Sequence, residues 1–295
     1  MEKIQRKDAG EKMIYSASLR LCAFALNLLN PLISKILVIF ALFLGIERFC
    51  YYATDGFAEV KIHSSLNPNP AWEPSSYPSL DPAVFNQPYY YLGKGAQCFA
   101  FLSADGRYVI KFFRHDHFAK KRGKVFRDFA SYKIAFEALR EETGLLYLHL
   151  NKTKNLGKSL TFFDKIGVVH RVPLDEMEFL VQQKADLALP TLRQWLAAGE
   201  VEKVKAGIGS LVELIRSRCE KGIFDKDPDL RTNFGFAGTR AMQLDAGRFR
   251  WDPAQKDPDT VRNELRRMTQ GLQQWLEEDC PELSIYLEQL LVSGA

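Results

Sequence analysis

Hydrophobic and polar positions follow the clearest pattern between Tyr89 and Phe113, where the chain reads YYYLGKGAQCFAFLSADGRYVIKFF. Apolar runs separated by a glycine-rich turn and a tight hairpin predict three strands. Gly93 and Gly95 have no Cβ, so backbone N–H groups of this turn can approach a ligand closely. Lys111 lies inside the last apolar strand, where a lysine must be paired, snorkelling or functional.

Helical spacing of apolar residues predicts several helices after these strands. One runs over about Val125 to Glu142 and ends at Gly144, with a buried stripe formed by Phe129, Tyr132, Phe136 and Leu139. Residues 160–183 predict two more strands, Leu160 to Val172 and Glu178 to Gln183. The later predicted helices are Leu187 to Ala197, Val201 to Lys221, Asp259 to Glu278 and Pro281 to Leu291.

The N-terminal region changes from polar to strongly apolar. Residues 1–13 are mixed in charge, Leu19 to Leu29 is largely apolar, and a helix over about residues 31–50 is near the length needed to cross a bilayer. Lys35 is close enough to one end to snorkel. We predict a single-pass membrane anchor here; the alternatives are an uncleaved signal-like segment, a hairpin in one leaflet, or a helix lying on the membrane surface.

Residues 53–85 differ in composition from both neighbours. The stretch from His63 to Pro88 is rich in Pro, Ser and Asn, which is typical of an extended linker. The predicted organisation is therefore an N-terminal segment (1–52), a linker (53–85) and a folded domain from residue 86 onward.

Net charge and cysteine spacing bear on two classes, nucleic-acid-binding proteins and proteins stabilised by disulfides or zinc. The chain has 295 residues and a net charge of +4, too small to indicate nucleic-acid binding by itself. Its five cysteines are widely spaced and form no CxxC pair, so they indicate neither a disulfide framework nor a zinc site.

A second informative stretch is Gly222 to Phe249, GIFDKDPDLRTNFGFAGTRAMQLDAGRF. Three aspartates, Asp225, Asp227 and Asp229, surround a proline turn, and Asn233 follows a few residues later. Asp245 begins an Asp-Ala-Gly triplet after an apolar strand. One amide oxygen and one carboxylate beside substrate phosphates are suitable ligands for Mg²⁺.

The order of glycine-rich turn, strand lysine, helix glutamate, aspartate, asparagine and D-x-G resembles the protein-kinase superfamily over about residues 86–250. The resemblance implies that Gly93, Lys94 and Gly95 cover the phosphates of ATP and that Lys111 holds them. It also implies that Glu137, or second Glu141, pairs with that lysine. By position, Gln183 belongs to the hinge that receives adenine.

The same resemblance implies that Asn233 and Asp245 bind Mg²⁺ and that Asp227 acts on the acceptor hydroxyl. Asp225 and Asp229 are interpreted as solvated turn residues. The sequence departs from the family pattern in several places: Cys98 replaces the third glycine, Pro228 stands where the catalytic aspartate is expected, Ala246 replaces the phenylalanine of D-F-G, and only 48 residues follow Gly247.

The implied fold class is α+β and bilobal. An antiparallel sheet with one helix forms the N-lobe (86–184), and a small, mainly helical C-lobe (185–295) follows. The leading functional hypothesis is a membrane-tethered, ATP- and Mg²⁺-dependent phosphotransferase acting on a hydroxyl of a small molecule, lipid-linked sugar or protein. Its need for ATP favours the cytosolic face, although the basic N-terminal flank favours the opposite orientation.

Two other hypotheses stay open. The first is a pseudokinase that serves as a membrane-anchored nucleotide-binding or protein-interaction module, favoured by the displaced aspartate and short C-lobe. The second is a structural α+β membrane protein with an accidental match, which would be excluded if Lys111 and Asp245 faced each other across a cleft.

Overall fold

The computed structural model describes residues 31–116 and 122–292. The chain divides into two compact units, residues 1–56 and 57–295. The described part of the first unit is a helix, α1 (Pro31–Thr54), at the position of the predicted anchor. Its apolar side chains are exposed on successive turns, for example Ile39, Phe43 and Phe49. The apolar stretch before it lies outside the described residues.

The length and apolarity needed for crossing a membrane are not reached by any helix within residues 31–116 and 122–292.

A curled seven-stranded sheet forms the first half of the second unit, with strands in the order β4-β7-β3-β2-β1-β5-β6. Neighbouring strands are antiparallel except β1 and β5, which are parallel. The strands are β1 (Tyr89–Lys94), β2 (Cys98–Ser103), β3 (Tyr108–Phe113), β4 (Leu145–His149), β5 (Ser159–Phe163), β6 (Val169–Pro173) and β7 (Phe179–Gln183). The three strands predicted over residues 89–113 are thus present.

The segment predicted as one strand over Leu160 to Val172 is instead a hairpin, β5 and β6. Its turn contains Gly167, whose φ of 83° is a left-handed value that glycine adopts at low cost. The prediction missed this turn because apolar residues continue on both sides of it.

The predicted linker over residues 53–85 needs correction, because several of its apolar residues are buried against the sheet. Phe57, Ile62 and Val84 are buried in one cluster with strand residues such as Phe101. Trp72 is buried on the opposite face, where its ring contacts Phe129. A sheet of this size has two apolar faces to cover, and burying a large apolar side chain contributes roughly 1.5–3 kcal/mol. The proline-rich composition therefore marks an irregular covering segment.

The predicted helix over Val125 to Glu142 is divided into α2 (Arg122–Ala138) and α3 (Arg140–Thr143), and Gly144 follows in the left-handed region at φ 62°. The predicted stripe is buried, with Phe129 and Phe136 fully inaccessible. It packs on the sheet face that carries Phe113 and Leu180. This face is the one from which the Lys111 side chain projects, because Lys111 pairs with Leu180 across β3 and β7.

The second half of the unit is mainly helical. Its elements are β8 (Asp186–Leu187), α4 (Ala188–Ala197), α5 (Val201–Glu220), β9 (Ile223–Asp225), α6 (Leu230–Asn233), β10 (Phe234–Ala237), β11 (Arg240–Gln243), β12 (Phe249–Trp251), α7 (Pro258–Asp279) and α8 (Pro281–Val292). The long helices share one apolar core that includes Ile208, Leu211 and Leu272. Helical spacing therefore predicted these helices to within a residue or two.

Candidate functional site

The Lys111 side chain crosses from the sheet to the segment that follows β11. Its Nζ donates a hydrogen bond of 2.7 Å to the backbone carbonyl oxygen of Leu244, the residue before Asp245. Burial lowers the pKa of Lys111, and the negative charge of Asp245 opposes that shift. Lys111 and Asp245 therefore face each other between the sheet and the helical half, although 133 residues separate the lysine from Leu244.

Asp245 is partly buried and held from two directions. Its Oδ1 accepts hydrogen bonds from the hydroxyl of Tyr132 on α2, at 3.2 Å, and from the backbone N–H of Gly247, at 2.9 Å. The Gly247 bond orients the carboxylate within its own turn, and the Tyr132 bond ties it to α2. Both bonds use the same oxygen, so Oδ2 is directed away from these two donors.

Asn233 is brought beside Asp245 by the β10–β11 hairpin. The backbone N–H of Leu244 donates to the carbonyl oxygen of Asn233 at 2.6 Å, continuing the pairing of Phe234 with Gln243. The Asn233 side chain is 5% exposed; Oδ1 accepts from the hydroxyl of Thr232 at 3.2 Å, and Nδ2 has no hydrogen-bond partner in the described part of the chain.

The three aspartates before Asn233 have a shared structural role. Each carboxylate accepts a hydrogen bond from the backbone N–H two residues later: Asp225 from Asp227, Asp227 from Asp229, and Asp229 from Arg231. Such side-chain turns explain the D-x-D-x-D spacing. Asp229 also accepts from the hydroxyl of Thr232 and begins α6 as its N-cap.

The prediction that Asp225 is a solvated turn residue is wrong, because the residue is only 1% exposed. Gln243 donates its Nε2 hydrogen to Asp225 Oδ2 at 2.5 Å. Burial raises the pKa of Asp225 to about 6, and the nearby positive charge of Arg218 opposes this. By contrast Asp227, the predicted acceptor residue, is only partly buried. Of the three, it and Asp229 are the more accessible to a substrate.

The predicted pairing of Glu137 with Lys111 is wrong in this structure. Glu137 lies on the outer side of α2, where its Oε1 accepts from the backbone N–H and hydroxyl of Ser75, at 2.8 and 2.6 Å. The second choice, Glu141, is on the short helix α3. Helical periodicity explains the error: the face of α2 that meets the site carries Tyr132, and Glu137 is five residues later, about 140° around the helix.

The glycine-rich turn is short, because β1 extends through Gly93 and Lys94. A Cβ placed on Gly93 would meet no atom within 4 Å, and one on Gly95 would meet only the carbonyl oxygen of Cys98, at 3.9 Å. The fold itself therefore does not require glycine at either position. Space beside both is open to a ligand.

Gln183, the predicted hinge residue, is the last residue of β7. Its backbone N–H donates to the carbonyl oxygen of Gly144 at 2.8 Å, and its side-chain oxygen accepts from Arg240 at 2.6 Å. It lines a cavity of about 540 Å³ together with Tyr108 and Asp186. These contacts occupy both its N–H and its side chain, so contact of Gln183 itself with adenine would use its carbonyl oxygen.

Several residues around the site were not predicted. Ser131 on α2 donates to the carbonyl oxygen of Ala246 and accepts from the backbone N–H of Phe249 at 2.5 Å. Asp128, one turn earlier, is fully buried, and neither of its oxygens accepts a hydrogen bond from the described residues. Burial raises its pKa. The available signal was their spacing: Asp128, Ser131 and Tyr132 occupy one helical face.

Comparisons with known proteins give little further information. No family model matches the chain, and no curated protein matches it. Among solved structures, the chain is similar to a bifunctional kinase-methyltransferase, WbdD, with 16% identity and a TM-score of 0.33. That similarity covers 66% of this chain and 42% of WbdD, less than half of its length. So low a TM-score supports no inference about function. The curled sheet followed by a helical half is compatible with a kinase-like fold.

Proposed function

We propose that this protein is a kinase-like phosphotransferase that uses ATP and Mg²⁺ to phosphorylate a hydroxyl group. The observation that carries the proposal is the meeting of Lys111, Asp245 and Asn233. The Lys111 ammonium bonds to Leu244, whose own N–H bonds to Asn233 and whose next residue is Asp245. A cation from the sheet half thus meets the segment of the helical half that carries the Asp245 carboxylate, and the backbone of Asn233 adjoins that segment. Phosphoryl transfer needs such charged and polar groups on both sides of the phosphates.

The residues present fit a nucleotide with magnesium. Asp245 Oδ2 and, after a half-turn of the side chain, the amide oxygen of Asn233 would supply hard oxygen ligands for Mg²⁺. The Asn233 amide has hydrogen-bonding capacity to spare, because its buried Nδ2 has no partner among the described residues. The open space at Gly93 and Gly95 would admit phosphate oxygens close to the backbone. Bound Mg²⁺ would neutralise charge on the phosphates.

Lys111 would then exchange its bond to Leu244 for one to a phosphate oxygen. Its pKa is lowered by burial, and a phosphate anion would favour its charged form. Asp227 is our candidate for orienting the acceptor hydroxyl, since it is accessible and precedes the magnesium residues. Gly93, Lys94 and Gly95 would form the phosphate lid, and the backbone around Gln183 would receive adenine.

A second candidate function is nucleotide binding without transfer. It is favoured by the three aspartate turns, because Asp225, Asp227 and Asp229 all already accept backbone hydrogen bonds. A phosphate-transfer assay with γ-labelled ATP separates the two functions: a protein that binds Mg-ATP yet releases or transfers no label is a binding module.

The test of nucleotide binding is the thermal stability of the full chain in mild detergent, with and without Mg-ATP. Ligand at one hundred times its Kd stabilises the folded state by about 2.7 kcal/mol, which raises the midpoint by roughly 5–10 °C. Asp245→Asn should abolish the shift, whereas Asp259→Asn, an exposed aspartate on α7, should keep it. No shift in the native protein at several millimolar Mg-ATP would refute the proposal.

We further propose that α1 attaches the protein to a membrane. Its exposed large side chains, among them Ile39, Phe43 and Phe49, have 66, 64 and 73% of their surface accessible, and lipid is the environment that would bury them. Flotation with liposomes tests this. Phe43→Glu should weaken binding about tenfold or more, and Val292→Glu, an exposed position in the second unit, should not. Equal flotation of both variants would exclude α1 as the attachment.

A further inference from the structure

The side chain of Gln97 lies between the glycine-rich turn and the Asp-Ala-Gly segment. Gln97 is 6% exposed. A Cβ placed on Gly247 would lie 2.3 Å from Gln97 Oε1 and 2.6 Å from Nε2, so the carboxamide packs directly on the Gly247 backbone. Because the Gly247 N–H donates to Asp245, the carboxamide stands beside the proposed magnesium residue.

Arg114 holds the turn in this position. Its backbone N–H donates to the carbonyl oxygen of Gln97 at 2.8 Å, and its Nη1 donates to the carbonyl oxygen of Gly95 at 3.3 Å. The guanidinium also stacks over the ring of Phe99 at 5.0 Å and pairs with Asp116. The backbone of Gln97 is therefore fastened beside β3, and its side chain forms the contact with Gly247.

The Gln97 contact is incompletely satisfied. Oε1 is buried and accepts no hydrogen bond from the described residues. An unsatisfied buried acceptor is unfavourable, so releasing the side chain to water or to a ligand recovers free energy. Packing against Gly247 holds the closed arrangement, while the unpaired oxygen makes it easy to open.

We propose that Gln97 occludes the nucleotide site of this protein when the site is empty. In this role, which rests on the proposed function, the carboxamide keeps the glycine-rich turn closed on Gly247, and the phosphates of a nucleoside triphosphate displace it. Occlusion lowers the apparent affinity for nucleotide by the fraction of molecules that are closed. A Cβ at residue 247 would require the Gln97 carboxamide to move.

The closure itself is tested without nucleotide by hydrogen–deuterium exchange of peptides covering residues 90–98 in the full chain. Gln97→Ala should raise exchange of the turn about tenfold, and Gly247→Ala should do the same by expelling the side chain. Gln97→Met keeps the volume and removes the unsatisfied oxygen, so its turn should exchange no faster than that of the native protein. Gln289→Ala, on the exposed side of α8, should exchange like the native protein. Unchanged exchange in Gln97→Ala would overturn the closure.

Occlusion is then tested by calorimetric titration with Mg-ATP. Gln97→Ala should bind about three- to tenfold more tightly than the native protein, and Gln97→Met should not. Weaker binding in both variants would overturn occlusion and make Gln97 a residue that contacts nucleotide. If neither the native protein nor either Gln97 variant binds Mg-ATP while Gln97→Ala still exchanges faster, the proposed function fails and the closure of the turn stands.

Discussion

The sheet half and the helical half of the site hold their functional residues by different means. Lys111 is placed by the backbone ladder, because β3 pairs Lys111 with Ala100 on one side and with Leu180 on the other. Asp225, across the site, is the last residue of β9, where it pairs with Phe249 of β12, and its position also depends on side chains, since Gln243 bonds its carboxylate and Arg267 bonds its carbonyl oxygen. A ladder positions a residue through alternation alone, whereas a buried polar network needs every partner to be present.

The network of the helical half is centred on a buried arginine. Arg218 on α5 is inaccessible and donates to Glu264 on α7 at 2.8 Å, and Arg267 donates to the same carboxylate. Arg267 then reaches the carbonyl oxygen of Asp225, so two helices fix the start of the loop that carries the aspartates. We therefore expect substitutions near Lys111 to be tolerated more readily than substitutions that remove a polar partner of the aspartate loop.

The largest predicted effect comes from breaking this network. Arg218→Met leaves the buried carboxylate of Glu264 with one cation in place of two, and removing one partner of a buried ion pair costs about 3–5 kcal/mol. We expect a loss of that order in the free energy of unfolding, measured by urea denaturation.

Two further variants control for this. Arg262→Met removes an ion pair with Asp259 on the exposed side of α7, the helix that carries Glu264. This variant should change the free energy of unfolding by less than about 0.5 kcal/mol. Adding Glu264→Gln to Arg218→Met should restore part of the loss. Native stability in Arg218→Met would show that Arg267 alone satisfies Glu264.

A smaller effect is expected from the pH dependence of Asp225. Burial raises its pKa from 3.8 to about 6, so the folded state binds the proton more tightly than the unfolded state. The corresponding stability is fully present below pH 3.8 and is lost as the pH rises to about 6. A shift of this size corresponds to about 3 kcal/mol.

Asp225→Asn removes that loss, because an amide stays neutral and the unpartnered Oε1 of Gln243 can turn to accept its hydrogen. Relative to the native protein, the variant should gain up to about 3 kcal/mol at pH 7.5 and almost nothing at pH 4. Urea denaturation at both pH values measures the difference. A variant less stable at pH 7.5 than the native protein would mean that the Asp225 charge is stabilising.

The smallest change in stability is expected from Glu137, which lies on the outer side of α2. Glu137→Gln keeps an oxygen for the Ser75 hydrogen bonds and should change stability by less than about 0.5 kcal/mol. It should also leave the Mg-ATP thermal shift intact.

Tyr132→Phe, which removes the hydrogen bond to Asp245, should reduce the Mg-ATP thermal shift while costing about 1 kcal/mol of stability. If Glu137→Gln reduced the Mg-ATP thermal shift and Tyr132→Phe did not, Glu137 would be the residue of α2 that supports the site.

Spacing predicted elements much better than it predicted partners. The stripe Val204, Ile208 and Leu211 placed α5 correctly because helical periodicity is a local property. Glu137 was assigned to Lys111 on chain order alone, and the turn of the helix directs it to Ser75 instead. The composition of residues 53–85 predicts a linker, and this is wrong for its buried residues because composition carries no information about which surfaces of the sheet remain to be covered.

The amino-acid sequence by itself determined the strands around Lys111, the long helices and the order of the candidate residues, because alternation and helical periodicity depend only on neighbouring positions. Tertiary structure alone decided that Tyr132 reaches Asp245, that Asp225 is buried beside Arg218, and that Gln97 closes on Gly247. Those contacts join residues that are far apart in the chain. Each one forms because packing of the core removes these polar groups from water and brings them together.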